Sequence, residues 1–138
     1  MKSYLDFAEN DFLFLQSVDI SNTYGFNTFC ALSQKVCERY LKHIVDIFVQ
    51  PTDIVAEKEK QDIIRTHSLR KLYNYLKVNV PQFNIAPTEL YKADSYYFSV
   101  QYPGDQSFFA TKEDVDACME AVLACRQAVK VFTKNQGV

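Results

Sequence analysis

Glycine and proline are scarce in this chain, three and four in 138 residues. An all-β fold needs many tight turns that those residues supply, so a sandwich or barrel is disfavoured. The three glycines, Gly25, Gly104 and Gly137, stand far apart, which leaves no glycine-rich loop to cradle a phosphate. Charge of one sign is also lacking. With 15 basic and 17 acidic side chains the formal net charge is −2. No broad cationic field attracts a phosphate backbone, so general nucleic-acid binding is not expected. No run reaches the roughly 20 apolar residues of a membrane span. Acidic residues interrupt the apolar N-terminal stretch "MKSYLDFAENDFLFL", unlike a signal peptide. The expectation is a soluble, cytoplasmic protein.

What is present is helical periodicity. Nearly half of the residues are apolar and 14% are aromatic, enough to fold as one domain over residues 1–138 without disulfides. Tyr4, Leu5, Ala8, Phe12 and Leu15 recur at helical spacing within residues 3–20. From about Asn22 to Val49 the positions Phe26, Cys30, Cys37, Tyr40, Leu41, Ile44 and Phe48 follow threes and fours, and Pro51 limits the helix. The polar run at residues 52–65 reads as a connection or a solvated helical extension. Leu69, Leu72, Tyr73 and Leu76 mark a third helix. Pro87 suits the first turn of a fourth, carrying Leu90, Tyr91, Tyr97, Phe98 and Val100 towards "YPGD". Thr111 with Asp114 resembles a capping box. Val115, Cys118, Val122, Cys125, Val129 and Phe132 then alternate by three and four, as along a bundle seam. The fold class is all-α: an antiparallel up-and-down bundle of about five helices.

Four cysteines raise the question of zinc. Cys30 and Cys37 are seven apart, as are Cys118 and Cys125. Seven helical residues rise about 10 Å, too far for either pair to share one tetrahedral ion. Both pairs fall on apolar faces, so core packing is expected and no metal site.

Three segments then fall in order. "LSQKVCERYLKHIV" (32–45) resembles the Q-x-x-x-E-[KR]-x-L-K pattern of the HEPN family. "THSL" (66–69) is similar to its T-H-x-L, and "ADSYYFSVQYPGD" (93–105) to its A-R-Y-P segment. The resemblance implies an antiparallel bundle, often a homodimer. It also implies a nucleotide ligand, with magnesium, and pairing with a minimal nucleotidyltransferase. The fold it implies is similar to the C-terminal domain of kanamycin nucleotidyltransferase. Another branch of the family consists of toxin ribonucleases marked by R-x(4–6)-H. Here the histidines are His43 and His67, with Arg39 and Arg65 before them, and neither pair has that spacing. No catalytic residue is therefore assigned. Gln101 stands where the family has arginine, which removes a cation from that corner.

The ligand-binding set that the resemblance implies is Gln34, Glu38, Lys42, His67, Gln101, Tyr102 and Asp105. On a helical wheel Gln34 borders the apolar face of the second helix, Glu38 lies further out and Lys42 further still. Two readings of that line compete. One is a half-solvated helix edge with a Glu38–Lys42 ion pair. The other is the polar lining of an inter-helix cleft or dimer groove, where glutamine needs amide partners and lysine meets a phosphate. A divergent ribonuclease using His67 with Arg65 or Arg70, and a purely structural interaction bundle, are the alternative functions.

Overall fold

The structure, a computed structural model, describes residues 2–19, 25–94, 96 and 108–137. Among the described residues its helices are α1 (Tyr4–Ser17), α2 (Phe26–Phe48), α3 (Ile54–Ile64), α4 (Leu69–Asn79), α5 (Pro87–Leu90) and α6 (Lys112–Asn135), with a 3-10 turn at Tyr91–Ala93 continuing α5. No strand occurs among the described residues. None of the described helices is long and apolar enough to cross a membrane.

Local chemistry explains where most helices start. Ser3 and Asp6 form a capping box at α1, and Thr111 and Asp114 form the expected one at α6. Asp53 accepts from the Ala56 amide at α3, and Ser68 accepts from the Lys71 amide at α4. Each cap satisfies backbone donors that the first helical turn leaves unpaired. Two expectations change. The charged run after Pro51 is a helix of its own, not an extension of α2, because α2 ends at Phe48 and Asp53 starts a new one. No residue of α3 is fully buried, in keeping with its solvated reading. The fourth helix is interrupted at Asp94, and Tyr96 beyond it is helical again. Asp94 is extended (ψ 153°) and ends the 3-10 turn, because its carboxylate accepts from the Leu69 amide (3.0 Å) at the start of α4. Tyr97, Phe98 and Val100 lie outside the described residues.

Successive helices alternate in direction. Antiparallel packing of α1 on α2 brings Glu9 to Tyr40 and Asp11 to Arg39. The Lys60 ammonium donates to the Val49 carbonyl (2.9 Å), holding α3 back along the C-terminal end of α2. His67, just before α4, reaches Glu38 in the middle of α2, whereas Phe83, just after α4, packs on Phe132. Lys92 turns the chain back, binding Glu89 on α5 and Glu120 on α6. α2 and α6 are therefore parallel, with Phe48 edge-on to Phe132 (4.8 Å) at one end and Asn27 accepting from the Ala110 amide (2.7 Å) at the other. Their shared seam is the centre of the core, where Tyr40, Leu41, Ile44, Val122 and Val129 are almost fully buried.

The cysteines lie in that seam, free and buried. Burial and the facing Cys125 raise the Cys37 pKa well above the usual thiol range; the facing Cys30 and burial do the same to Cys118. Thiols held protonated in an apolar seam behave as small hydrophobes.

Candidate functional site

The connection between α3 and α4 builds the site. Arg65 caps α3 with its amide on Asp62 and Ile63 carbonyls, and the Thr66 amide bonds Ile63. On the far side the Ser68 amide bonds the Thr66 hydroxyl (3.2 Å), and the Ser68 side chain caps α4. Asp94 pins the next amide. With both ends of the turn held, His67 presents its carbonyl and its ring to α2. The Gln34 amide donates to the His67 carbonyl (2.5 Å). Glu38 Oε1 accepts from His67 Nδ1 (3.0 Å), which places the proton of the neutral ring on that nitrogen. Lys42 Nζ donates to the same oxygen (3.3 Å).

Gln34, Glu38 and Lys42 are 1%, 3% and 7% exposed. The half-solvated edge is therefore overturned. The wheel ranked the three correctly, but the turn carrying His67 packs on Gln34 and Glu38, and the line is buried as well as the apolar face. His67 is the outward member, its side chain 44% exposed. Four of the expected residues thus converge. Gln101, Tyr102 and Asp105 lie outside the described residues.

Glu38 is unevenly satisfied. Oε1 has two donors, whereas Oε2 is buried and has no hydrogen-bond partner among the described residues. A buried carboxylate oxygen without a donor costs about 1–3 kcal/mol or more, so the arrangement is poor as packing alone. The ammonium–carboxylate–imidazole set can accept from a ligand at Oε2, donate from Lys42 and exchange a proton at His67.

Sequence reasoning did not single out His43. It is also buried, with Nδ1 lacking a partner among the described residues. Burial lowers its pKa from the ordinary 6.5, against the opposing effect of Asp46 and Asp6. It adjoins α1, away from the Glu38 cluster, and its only signal was its place in the α2 pattern. Among the described residues, cavities of about 430 and 330 Å³ lie beside Thr66 and Lys71 and beside Tyr73 and Phe83. Neither is lined by Gln34, Glu38, Lys42 or His67. The ribonuclease alternative finds Arg70 stacked on the Tyr91 ring, its guanidinium 3.9 Å from the centroid.

Compared with known proteins, the chain matches the family model described as HEPN domain over residues 55–132, more than half its length. The match covers "THSL" and the segment at 93–105, and begins after the α2 line. No curated protein matches, and no solved structure matches. An all-α bundle whose family match spans the third helix through most of the last leaves one assignment: the chain belongs to the HEPN domain family.

Proposed function

We propose that this HEPN domain is a non-catalytic binding module that takes a nucleotide, with magnesium, at the Gln34–Glu38–Lys42–His67 cluster. It acts as a homodimer alongside a minimal nucleotidyltransferase. The observation that carries the reading is the buried Glu38 carboxylate, with one oxygen doubly bonded and the other unpartnered among the described residues, beside the buried Lys42. A native fold keeps such a costly feature where a ligand uses it. Membership in the HEPN family, through the resemblance of its motifs, supplies the class of ligand. The exposed Phe7, Leu13 and Phe14 of α1, each more than half accessible, support an oligomer contact on that helix.

The test is a thermal-shift panel of nucleoside mono-, di- and triphosphates with and without magnesium. A ligand at about 100 times its dissociation constant adds roughly 2.7 kcal/mol and raises the midpoint by several degrees. The expected result is a selective shift that Lys42→Ala abolishes while circular dichroism shows the helices intact. A flat panel overturns the nucleotide assignment and moves the reading to a protein partner, sought by pull-down.

One observation favours a second reading. A carboxylate that holds Nδ1–H of a part-exposed imidazole is the arrangement of a general base. The divergent-ribonuclease reading therefore predicts RNA cleavage that His67→Ala abolishes; an inactive wild-type protein across varied RNAs removes it.

A further inference from the structure

The geometry at Glu38 points to which part of the ligand the cluster reads: we propose that it binds a ribose hydroxyl, so that the domain selects ribonucleotides over nucleotides lacking the sugar diol. The inference rests on the nucleotide reading above and adds the contact that gives it specificity.

Glu38 Oε1 accepts from His67 Nδ1 at 3.0 Å and from Lys42 Nζ at 3.3 Å. Two donors occupy its two lone-pair directions. Oε2 of the same carboxylate is buried without a partner among the described residues. The Lys42 ammonium carries three N–H groups, of which one is directed to Oε1. The cluster therefore sets a hungry acceptor and a donor side by side, both more than nine-tenths buried.

Ligand groups differ in how they fit that pair. A phosphate oxygen only accepts; it suits Lys42 but is repelled by Oε2. A ring N–H or exocyclic amine of a base only donates; it suits Oε2 but opposes the ammonium. A hydroxyl donates and accepts through one atom, giving its proton to Oε2 while taking one from Lys42 Nζ. The bond it donates is charge-assisted and lies where water is excluded, the conditions under which one hydrogen bond discriminates strongly. Ribose is the part of a nucleotide that carries free hydroxyls.

The test is calorimetric titration of the full chain with ATP, GTP, CTP and UTP, each paired with its 2′,3′-dideoxy counterpart. A ribose contact predicts that the ribonucleotide binds roughly tenfold tighter or more, since a site built to pair a hydroxyl is left unsatisfied without it. The double variant Glu38→Met/Lys42→Met leaves neither charge stranded and is expected to lose the preference. Equal affinity for both members of a binding pair overturns the ribose proposal and leaves the nucleotide reading standing; Oε2 is then satisfied by water. Absence of binding by every member overturns the nucleotide reading and this proposal with it. The wild-type comparison decides the matter even if the double variant does not fold.

Discussion

Glu9 and Glu38 both bind side chains of α2, yet their oxygens are treated differently. Glu9 Oε1 accepts from the Tyr40 hydroxyl (2.7 Å) and Arg126 Nε (3.1 Å), and Oε2 accepts from Arg126 Nη2 (3.2 Å). The Arg126 guanidinium also lies over the Phe12 ring, 4.3 Å from its centroid. Burial acts to raise the Glu9 pKa, but the bonds from Arg126 and Tyr40 outweigh it and hold the carboxyl below the usual range. That is a closed set joining α1, α2 and α6, with every oxygen used. Glu38 is deeper and leaves one oxygen unused among the described residues. A fully satisfied network rigidifies a fold, whereas a buried polar atom left unpaired is costly.

The largest effect that breaks this contrast is expected at the open cluster. Lys42→Met strands the buried Glu38 carboxylate and should destabilise the fold by about 3 kcal/mol in urea unfolding, because removing one partner of a buried ion pair leaves the other uncompensated. The double variant Glu38→Met/Lys42→Met should recover most of that loss. Equal destabilisation of the single and double variants contradicts the idea that a stranded charge is the cause.

At the closed cluster the effect is smaller. Tyr40→Phe removes one bond to a charged acceptor from a fully buried ring and should cost about 2 kcal/mol. A midpoint unchanged from wild type removes Tyr40 from the staple.

Acid separates His43 from Glu9. His43 has a folded-state pKa below the ordinary 6.5, chiefly through burial, so the unfolded chain takes up the proton first as pH falls. Stability is complete above 6.5 and declines as pH drops through the depressed value. The Glu9 contribution is also that of a depressed group; it is complete above the ordinary 4.5 and is lost only at lower pH. Urea midpoints between pH 7 and 5 should therefore fall in wild type and stay flatter in His43→Gln. Equal slopes in the two proteins contradict the assignment.

The smallest expected effect is on solvated α3. Lys58 and Asp62 form an i,i+4 pair at 3.0 Å with both side chains more than half exposed. Lys58→Ala should change stability by less than about 0.5 kcal/mol, whereas Asp53→Ala, which removes the helix cap, should cost about 1 kcal/mol. Reversal of that order means that capping does not govern this helix.

Much of the bundle was legible because the signals are local. The α2 and α6 seams alternate by three and four, and Thr111–Asp114 announced the last helix, as Ser3–Asp6 could have announced the first. Helix existence depends on propensity, capping and the width of an apolar stripe, which a single stretch of sequence carries. The interruption at Asp94 was not legible, since its carboxylate leaves the helix to cap α4, a partner 25 residues away.

The sequence by itself determined the helical class, the buried thiols, the family motifs and the identity of Gln34, Glu38, Lys42 and His67 as the residues to watch. Only the tertiary structure decided that Gln34, Glu38 and Lys42 are buried, that His67 closes on them from the α3–α4 turn, and that one carboxylate oxygen stays without a partner among the described residues. The physical reason is distance along the chain. A helical wheel describes how one helix would face a single apolar partner. Burial of its polar edge depends on which second element crosses there, and here the turn that does so is held by contacts with residues far away in sequence.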